Sequence, residues 1–343
     1  MANKFIVSLS PHVHSGDSVQ KNMYGVIIAL IPALLVALFA FGLGALVVTL
    51  TSVAACVFFE WAITKFILKR EVCTICDGSA ALTGLLLAFN LPSNLPIWII
   101  IIGALVAIGV GKMTFGGLGC NPFNPALVGR IFLLISFPVQ MTSWPTAGQW
   151  SSYLDAQTGA TPLAIMKQAI TSGDASVLEQ LPSLGSLLLG IPDACTLGAG
   201  SLGEISAGAL LLGFVYMLWK KIISWHIPVS ILGTVFVFSG LMHLANPVYA
   251  DPVSVLFTGG LMLGAIFMAT DYATCPLTSK GKIIYGIGCG LVACVIRQFG
   301  SYNEGVSFGI ILMNLLVPHI DNLTKLKPFG FIKEKKQKEA KAE

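Results

Sequence analysis

The chain has 343 residues, of which 55% are hydrophobic and only 10% are charged, with a net charge of +4 and a mean hydropathy of +0.83. A soluble domain carries about 25% charged residues. The composition therefore excludes an ordinary soluble enzyme, a disordered chain and a nucleic-acid-binding protein. Because the apolar runs are long and continuous, they do not fit the alternating strands of a membrane barrel. We expect an all-α polytopic membrane protein.

Ten apolar segments follow one another along the chain, five before a polar stretch and five after it. They cover roughly residues 24–41, 45–63, 79–89, 97–110, 125–137, 205–219, 228–243, 253–269, 283–296 and 306–317. A straight membrane span needs about twenty apolar residues, and several of these segments are shorter. Ser79–Phe89 would be only about 16 Å long as a helix. Short segments bounded by Gly and Pro predict broken helices, which line cavities in transporter-like folds.

The two halves resemble each other in the order of their features. Segments led by Asp77 and Asp251 are each followed by a span, a Phe-Gly pair and a short span that ends at Pro138 or Pro318. Five spans is an odd number, so a duplicated unit would insert upside down. We predict about ten transmembrane helices in two inverted five-helix repeats. The predicted divisions are 1–137 (N-terminal region and first repeat), 138–202 (external loop), 203–320 (second repeat) and 321–343 (basic tail).

The basic residues predict the orientation. With the N-terminus inside, seventeen of the twenty Lys and Arg residues lie on the inner side, and Lys167 and Arg297 lie outside. This positive-inside bias predicts cytoplasmic termini and an external, periplasmic loop in a cell inner membrane. The basic tail is interpreted as a solvated topology signal that touches anionic lipid. The first twenty residues lack a cleavage site, so we expect the first span to act as the insertion signal.

The external loop contains Asp155-Ala-Gln-Thr158-Gly159-Ala160-Thr161-Pro162. From the residues alone, this is a small-residue turn in which Thr161 caps a helix that begins at Pro162. The pattern also resembles the flavin-attachment motif of bacterial redox-driven ion pumps, in which a threonine hydroxyl forms a phosphoester with FMN. That chemistry requires an accessible hydroxyl and an uncrowded backbone, and a helix N-terminus would favour the phosphate.

Further motifs occur in the same order as in one known family. They are Ser10-Pro11-His12, Asp77-Gly78-Ser79-Ala80, the run from Phe115 to Ala126, Asp155–Thr161, Met268-Ala269-Thr270-Asp271, Glu304-Gly305-Val306 and Met313-Asn314. With them, nearly the whole chain resembles the RnfD component of the Rnf ion-translocating electron-transport complex, which is related to the NqrB component of the sodium-translocating NADH:quinone reductase (the RnfD/NqrB family). One departure is Tyr272, where family members often have proline.

The resemblance implies a function. The complex would move electrons between NADH and ferredoxin and couple this to Na⁺ or H⁺ transport, with the Rnf components A, B, C, E and G as partners in the lipid membrane. This chain would carry covalent FMN on Thr161, with Asp155, Thr158, Gly159 and Ala160 as the surrounding motif. A second, non-covalent riboflavin near the inner end is implied without assignable residues. We expect no activity from the chain alone and no binding of nucleic acid.

A second candidate region is the helix entry at Asn121-Pro122-Phe123-Asn124-Pro125. One interpretation is a cap by Asn124 with Pro125 in the first helical position; the other is a cavity-lining broken helix that faces a ligand or an ion. The two are compatible. Arg130 follows inside a span, where a charge is costly, so we expect it to face a carboxylate, a phosphate or water. The sequence names no partner for it.

Acidic residues within or at the ends of spans are candidates for function by default. They are Glu60, Asp77, Asp251, Asp271 and Glu304. Helix capping is the simpler explanation for the three aspartates. The cysteines Cys73, Cys76, Cys120 and Cys275 are predicted to be reduced thiols and not a metal site, and Cys56, Cys289 and Cys294 to pack as small hydrophobic residues.

An alternative function belongs to another class of protein. A five-plus-five inverted repeat with broken helices would also suit a urea- or ammonium-type channel, or a solute transporter without redox chemistry. The motif from Asp155 to Thr161 separates the two alternatives, because a pore has no use for a flavin-attachment site.

Overall fold

A computed structural model of the protein describes residues 17–70, 74–190, 198 and 200–326. In this part of the chain the secondary structure is helical, with isolated β-bridges but no strand. The first half contains the helices α1 (Val19–Phe41), α2 (Leu43–Ala62), α3 (Ser79–Phe89), α4 (Ile97–Leu105) and α5 (Pro125–Ser136). The predicted all-α fold is confirmed.

Three short helices follow in the polar connection: α6 (Pro138–Met141), α7 (Pro162–Ser172) and α8 (Leu184–Leu189). The second half contains α9 (Ala207–Trp219), α10 (His226–Ala245), α11 (Pro252–Phe257), α12 (Leu261–Leu263), α13 (Ser279–Phe299) and α14 (Val306–Leu323). Single π-helical turns extend α2 to Ile67, α4 to Val110 and α12 to Met268.

Six helical stretches in the described residues are long and apolar enough to cross a membrane. They are Val19–Phe41, Leu43–Ile67, Ile97–Phe115, His226–Ala245, Ser279–Phe299 and Val306–Leu323. Three shorter apolar helices accompany them, at Ser79–Phe89, Pro125–Ser136 and Ala207–Trp219. The chain is therefore a multi-pass membrane protein, as its composition predicted. The division into two inverted repeats stays a prediction.

Two short helices, α5 and α11, begin with a shared sequence signature. Asn124 caps α5, Asp251 caps α11, and in each case a proline takes the first helical position. The side-chain oxygen of the cap accepts hydrogen bonds from the first free backbone amides, and the proline has no amide to leave unpaired. The cap and proline predicted at Asn124 and Pro125 are thus confirmed.

One predicted span is interrupted. The segment 253–269 was expected to be continuous, but the chain leaves α11 at Thr258 and resumes a helix only at Leu261. Gly259 has a φ of 73°, a left-handed conformation that favours glycine. A Cβ at this position would lie 2.4 Å from the side chain of Leu163. The helix is therefore broken where α7 packs against it.

The two ends of the helix bundle have different contents. Gly42, at the end of α1, packs against Trp150, and Lys167 of α7 contacts the connection between α13 and α14. We call this end, which carries residues 138–206, the loop face. We call the opposite end, where α1 begins and α14 ends, the tail face. The two halves pack on each other through α1 with α9 and α5 with α14.

Some predicted features lie outside the described residues. These are the Ser10-Pro11-His12 motif, Cys73 and most of the basic tail, from Lys327 onward.

Candidate functional site

The flavin-like motif lies on the loop face, directly before α7. Thr161 caps this helix: its hydroxyl oxygen accepts a hydrogen bond from the amide of Ala164 at 3.2 Å, and Pro162 is the first helical residue. Thr161 is only 6% exposed, whereas Asp155, Thr158 and Ala160 are exposed. The expectation of an accessible hydroxyl is therefore wrong for this structure, in which Thr161 is buried while it caps α7.

Backbone hydrogen bonds hold the motif on both sides. The Gly159 amide donates to the carbonyl of Trp144 at 3.0 Å, and the Gly198 amide donates to the carbonyl of Ala160 at 3.0 Å. A Cβ on Gly198 would lie 2.3 Å from the Gly159 carbonyl oxygen, so only glycine permits this approach. Gly198 thus holds the backbone directly before Thr161.

Helix α7 is attached to the second half of the chain. The Lys167 ammonium donates to the carbonyls of Gly300 at 2.5 Å and Tyr302 at 3.1 Å. Partial burial lowers the pKa of Lys167 below its ordinary value. One turn earlier, Leu163 fills the space above Gly259. Helix α7, which Thr161 caps, therefore rests on the loop-face ends of the second-half helices.

Arg130 has the carboxylate partner that its place in a span requires. Its guanidinium donates to the Asn90 side-chain oxygen at 2.5 Å and to the Glu304 carboxylate. Arg297 lies 3.6 Å from the other oxygen of Glu304 and donates to the carbonyls of Val255 and Thr258. The sequence could not identify this pairing, because Arg130 and Glu304 are 174 residues apart.

Glu204 joins this group and was not singled out from the sequence. It is the last residue of a turn at residues 201–204. In this turn the Gly203 amide donates to the carbonyl of Phe89 at 2.8 Å, and the Leu202 amide donates to the carbonyl of Leu91 at 3.3 Å. These bonds place the turn against the C-terminal end of α3 and the residues that follow it. The Glu204 carboxyl then interacts with Glu304 and Arg130. We call Arg130, Glu204, Arg297 and Glu304 the loop-face charge cluster.

A separate ion pair lies nearer the tail face. The Lys112 ammonium donates to Glu60 at 2.6 Å and to the hydroxyl of Ser79 at 2.6 Å. The Lys112 and Glu60 side chains are 2% and 1% exposed. Lys112 was counted as one of the inner-side basic residues, but it is a buried partner of Glu60. Asp77 accepts from the amide and hydroxyl of Ser79, which agrees with its expected capping role.

The non-helical segments before α5 and after the π-helical extension of α12 meet at the tail face. The Asn124 amide donates to the carbonyl of Met268 at 3.1 Å, and the Asn121 amide contacts the Asp271 carboxylate at 3.4 Å. Asp271 is therefore a cross-half partner and not a helix cap. Beside them a cleft opens between α1, α3 and the two non-helical segments. Its walls include Val26, Leu86, Lys112, Asn121, Asp271 and Tyr272. Both interpretations of the Asn121–Pro125 region therefore hold together: a capped helix entry that also lines a cavity.

Three cysteines pack in the core as small hydrophobic residues, as predicted. Cys56, Cys289 and Cys294 are at most 2% exposed, whereas Cys76 and Cys120 are exposed. Within the described residues, no group of three or more His, Cys, Asp or Glu side chains has the proximity needed to hold a metal ion.

Comparison with known proteins identifies the family. The sequence profile of the NQR2, RnfD, RnfE family matches residues 6–330. The chain belongs to this family.

Individual relatives are similar over nearly their whole length. The D component of the Na⁺-translocating ferredoxin:NAD⁺ oxidoreductase complex of Acetobacterium woodii is 46% identical, covering 97% of this chain and 98% of the relative. The D component of the proton-translocating ferredoxin:NAD⁺ oxidoreductase complex of Clostridium ljungdahlii is 43% identical, covering 96% and 97%. The D component of an ion-translocating oxidoreductase complex of Actinobacillus succinogenes is 38% identical, covering 95% and 98%.

In this member of the NQR2, RnfD, RnfE family, the sequence pattern did not indicate three polar site residues: Asn90, Lys112 and Glu204. Each lies just outside an apolar segment, where a polar side chain is usually solvated. Their position beside interrupted helices could have indicated them, because a broken helix leaves polar backbone groups that must be paired inside the protein.

Proposed function

We propose that the chain is the membrane subunit of a complex that couples electron transfer between NADH and ferredoxin to the movement of Na⁺ or H⁺. The observation that carries this proposal is the nearly full-length similarity to two D components of such complexes, whose names differ in the ion that is moved. Neither is named for a urea or ammonium channel. The similarity therefore favours the redox-coupled role over the passive pore.

The subunit role can be tested with membranes and with the purified chain. Membranes from cells that lack this chain should lose ferredoxin-dependent NAD⁺ reduction, and the wild-type chain should restore it. The chain alone should not oxidise NADH, because its electrons would come through the partner components A, B, C, E and G. Rapid oxidation of NADH by the isolated chain would contradict this role.

In this proposal Thr161 carries covalent FMN through a phosphoester bond to its hydroxyl oxygen. Support comes from its place at the N-terminus of the eleven-residue helix α7, where the free amides of the first turn and the helix dipole favour a phosphate. Thr158 is more exposed but begins no helix. Since Thr161 is 6% exposed, attachment requires the contact between Ala160 and Gly198 to open. When bound, FMN supplies the redox chemistry, and the chain supplies its position.

Substitutions at the two threonines test the attachment site. Thr161→Ala should abolish in-gel flavin fluorescence under denaturing conditions while the chain still inserts into the membrane. Thr158→Ala is the matched control and should retain at least part of the label. Thr161→Ser keeps a hydroxyl but loses the methyl group that restricts χ1, so we expect weaker labelling. Covalent flavin that persists in Thr161→Ala would defeat the assignment, and peptide mass spectrometry would then locate it.

We further propose that the tail-face cleft holds the non-covalent riboflavin. The cleft lies between α1, α3 and the non-helical segments that meet at the tail face. Its walls combine apolar side chains such as Val26 and Leu86 with polar groups from Asn121 and Asp271. An apolar slot with a few polar groups suits a planar ring that carries hydrogen-bonding edges.

A substitution that fills the cleft tests the second flavin. Val26→Phe narrows the cleft from α1, so the flavin released on denaturing the Thr161→Ala background should fall to near zero. Ile28→Phe is the control, because Ile28 lies on the same helix but is 49% exposed. Equal release from the two variants would place the second flavin elsewhere.

We also propose cytoplasmic termini and an external flavin loop in the cell inner membrane. The basic residues Lys65, Lys220 and Lys282 end or begin helices on the tail face, whereas the loop face carries Lys167 and the two arginines that pair with Glu304. This distribution supports a cytoplasmic tail face. In a background with Cys73, Cys76, Cys120, Cys195 and Cys275 changed to serine, an impermeant thiol reagent added outside should label Glu179→Cys and spare Lys325→Cys. The opposite labelling would reverse the orientation.

A further inference from the structure

The Glu204 and Glu304 carboxyl groups occupy spaces made by two glycines. A Cβ on Gly200 would lie 2.5 Å from a Glu204 oxygen, and a Cβ on Gly260 would lie 2.6 Å from Glu304 Oε1. Any larger residue would therefore displace a carboxyl group. Glu204 lies in the connection between α8 and α9, and Glu304 in the connection between α13 and α14, outside the spanning helices.

These carboxyl groups have buried oxygens that receive no hydrogen bond. Glu204 Oε1 and Glu304 Oε1 are both buried and without a donor, although the two side chains interact directly. The Ser201 hydroxyl is completely buried and faces Glu204. Two ionised carboxylates offer only acceptors. An unpaired buried acceptor is costly, so the arrangement calls for a donor between the two groups.

The neighbouring cations are directed at Glu304. Arg130 donates to the Oε2 atom of Glu304, and Arg297 divides its donors between two backbone carbonyls and lies 3.6 Å from Oε1. Glu204 receives no hydrogen bond from either guanidinium, and Arg130 reaches it only through longer-range attraction. The titratable and charged groups that face Glu204 are thus Arg130 on α5, with Arg297 behind Glu304. Glu204 is the carboxyl group that lacks a cation of its own.

We propose that Glu204 and Glu304 hold one proton between their carboxyl groups, which makes the loop-face charge cluster a proton-binding site between the two halves of the chain. The proton is taken from water and resides on Glu204, whose carboxyl O–H donates a hydrogen bond to Glu304. When it leaves as H⁺, Glu204 becomes an anion and the net charge of the cluster falls by one. The site is separate from the flavin-bearing Thr161 and from the tail-face cleft, and it does not depend on either flavin.

Burial and the adjacent Glu304 raise the pKa of Glu204 from 4.5 to about 7. For Glu304, burial acts to raise the pKa, but Arg130 and Arg297 outweigh it, so its pKa is lowered. Only Glu204 then changes charge in the neutral range. Because its pKa is raised on folding, its contribution to stability is complete below 4.5 and is lost as the pH rises through about 7.

Infrared spectroscopy of the purified full chain tests the proposal directly. A protonated buried carboxyl group has a carbonyl stretching band that disappears on ionisation. The wild type should show such a band that titrates near neutral pH, and Glu204→Gln should lack it, because the glutamine amide donates permanently to Glu304. Glu179→Gln, which changes an exposed glutamate between α7 and α8, should leave the band unchanged. A titrating band that survives in Glu204→Gln, or none in the wild type, would overturn the proposal.

A second variant keeps the test decisive if Glu204→Gln does not fold. The Ser201 hydroxyl lowers the pKa of Glu204, so Ser201→Ala should move the titration of the band to higher pH. No movement, or movement to lower pH, would count against the proton site. The ion is tested by exchanging choline chloride for sodium chloride at constant pH. A band that vanishes in sodium would show that the carboxylates hold a metal cation, and the proposal would be wrong.

Discussion

The tail-face ion pair and the loop-face charge cluster solve the problem of buried charge in two ways. Lys112 and Glu60 form an ion pair at 2.6 Å within the first half, and the Lys112 ammonium also donates to the Ser79 hydroxyl. The loop-face charge cluster instead brings two arginines and two glutamates together from distant parts of the chain, and leaves buried oxygens and the Arg297 Nε without partners. A paired site stabilises one arrangement, whereas a cluster with spare acceptors can change its charge.

The largest effect should come from breaking the tail-face pair. Lys112→Met removes the ammonium that neutralises Glu60, and a buried charge that loses its partner costs about 3–5 kcal/mol. We expect a loss of that size in the free energy of unfolding, measured by denaturant titration in detergent. Lys65→Met, at an exposed lysine, is the control. The double variant with Glu60→Gln should recover most of the loss, and failure to recover it would contradict a simple pair.

Removing Arg130 should cost less, because Arg297 remains near Glu304. Arg130→Met also leaves the Asn90 oxygen without its donor at 2.5 Å. We expect a loss of about 2–3 kcal/mol, below the full penalty for a broken buried pair. Arg70→Met is the matched control, since Arg70 is exposed and donates to the Gly116 carbonyl. An equal loss in both variants would show that the loop-face charge cluster is not held by Arg130.

The contact between Asn124 and Met268 should have an intermediate effect on stability. Two substitutions separate the contribution of the α5 cap from that of the bond to Met268. Asn124→Ala removes both the α5 cap and the bond to the Met268 carbonyl, for a total of about 2 kcal/mol. Asn124→Asp keeps a capping oxygen but cannot donate to Met268, so we expect about half that loss. Thermal unfolding of the two variants measures the difference. Equal losses would mean that the cap contributes nothing.

The smallest effect should come from Lys167, which connects the loop to the second half. Lys167→Met removes the bonds to the Gly300 and Tyr302 carbonyls, and a partly exposed charge contributes only about 0.5–1 kcal/mol. Global stability should hardly change, but hydrogen exchange in α7 should become faster. Lys220→Met, at an exposed lysine on the tail face, should leave α7 unchanged. Unchanged exchange in Lys167→Met would show that α7 is held by its apolar contacts alone.

Most helices could be predicted because apolar length and capping residues act locally. Ser79–Phe89 was predicted with its observed bounds, and the starts at Pro125 and Val306 were also correct. The break at Gly259 was missed because it depends on the packing of Leu163, nearly a hundred positions earlier in the chain. The role of Thr161 as a helix cap was foreseen from Pro162, but its burial was not, because Gly198 lies against Ala160 through tertiary packing.

By itself, the sequence determined the membrane class, the positions of most helices, the family and the flavin-like motif, since composition, periodicity and motif order are carried by neighbouring residues. Only the tertiary structure decided which buried charges are partners. In the sequence, Glu60 is a single acid within an apolar segment and Glu304 is a single acid beside another. In the structure, Glu60 meets Lys112, whereas Glu304 meets Arg130, Arg297 and Glu204. Burial makes such pairing obligatory, but the folded chain decides which distant residues come within reach.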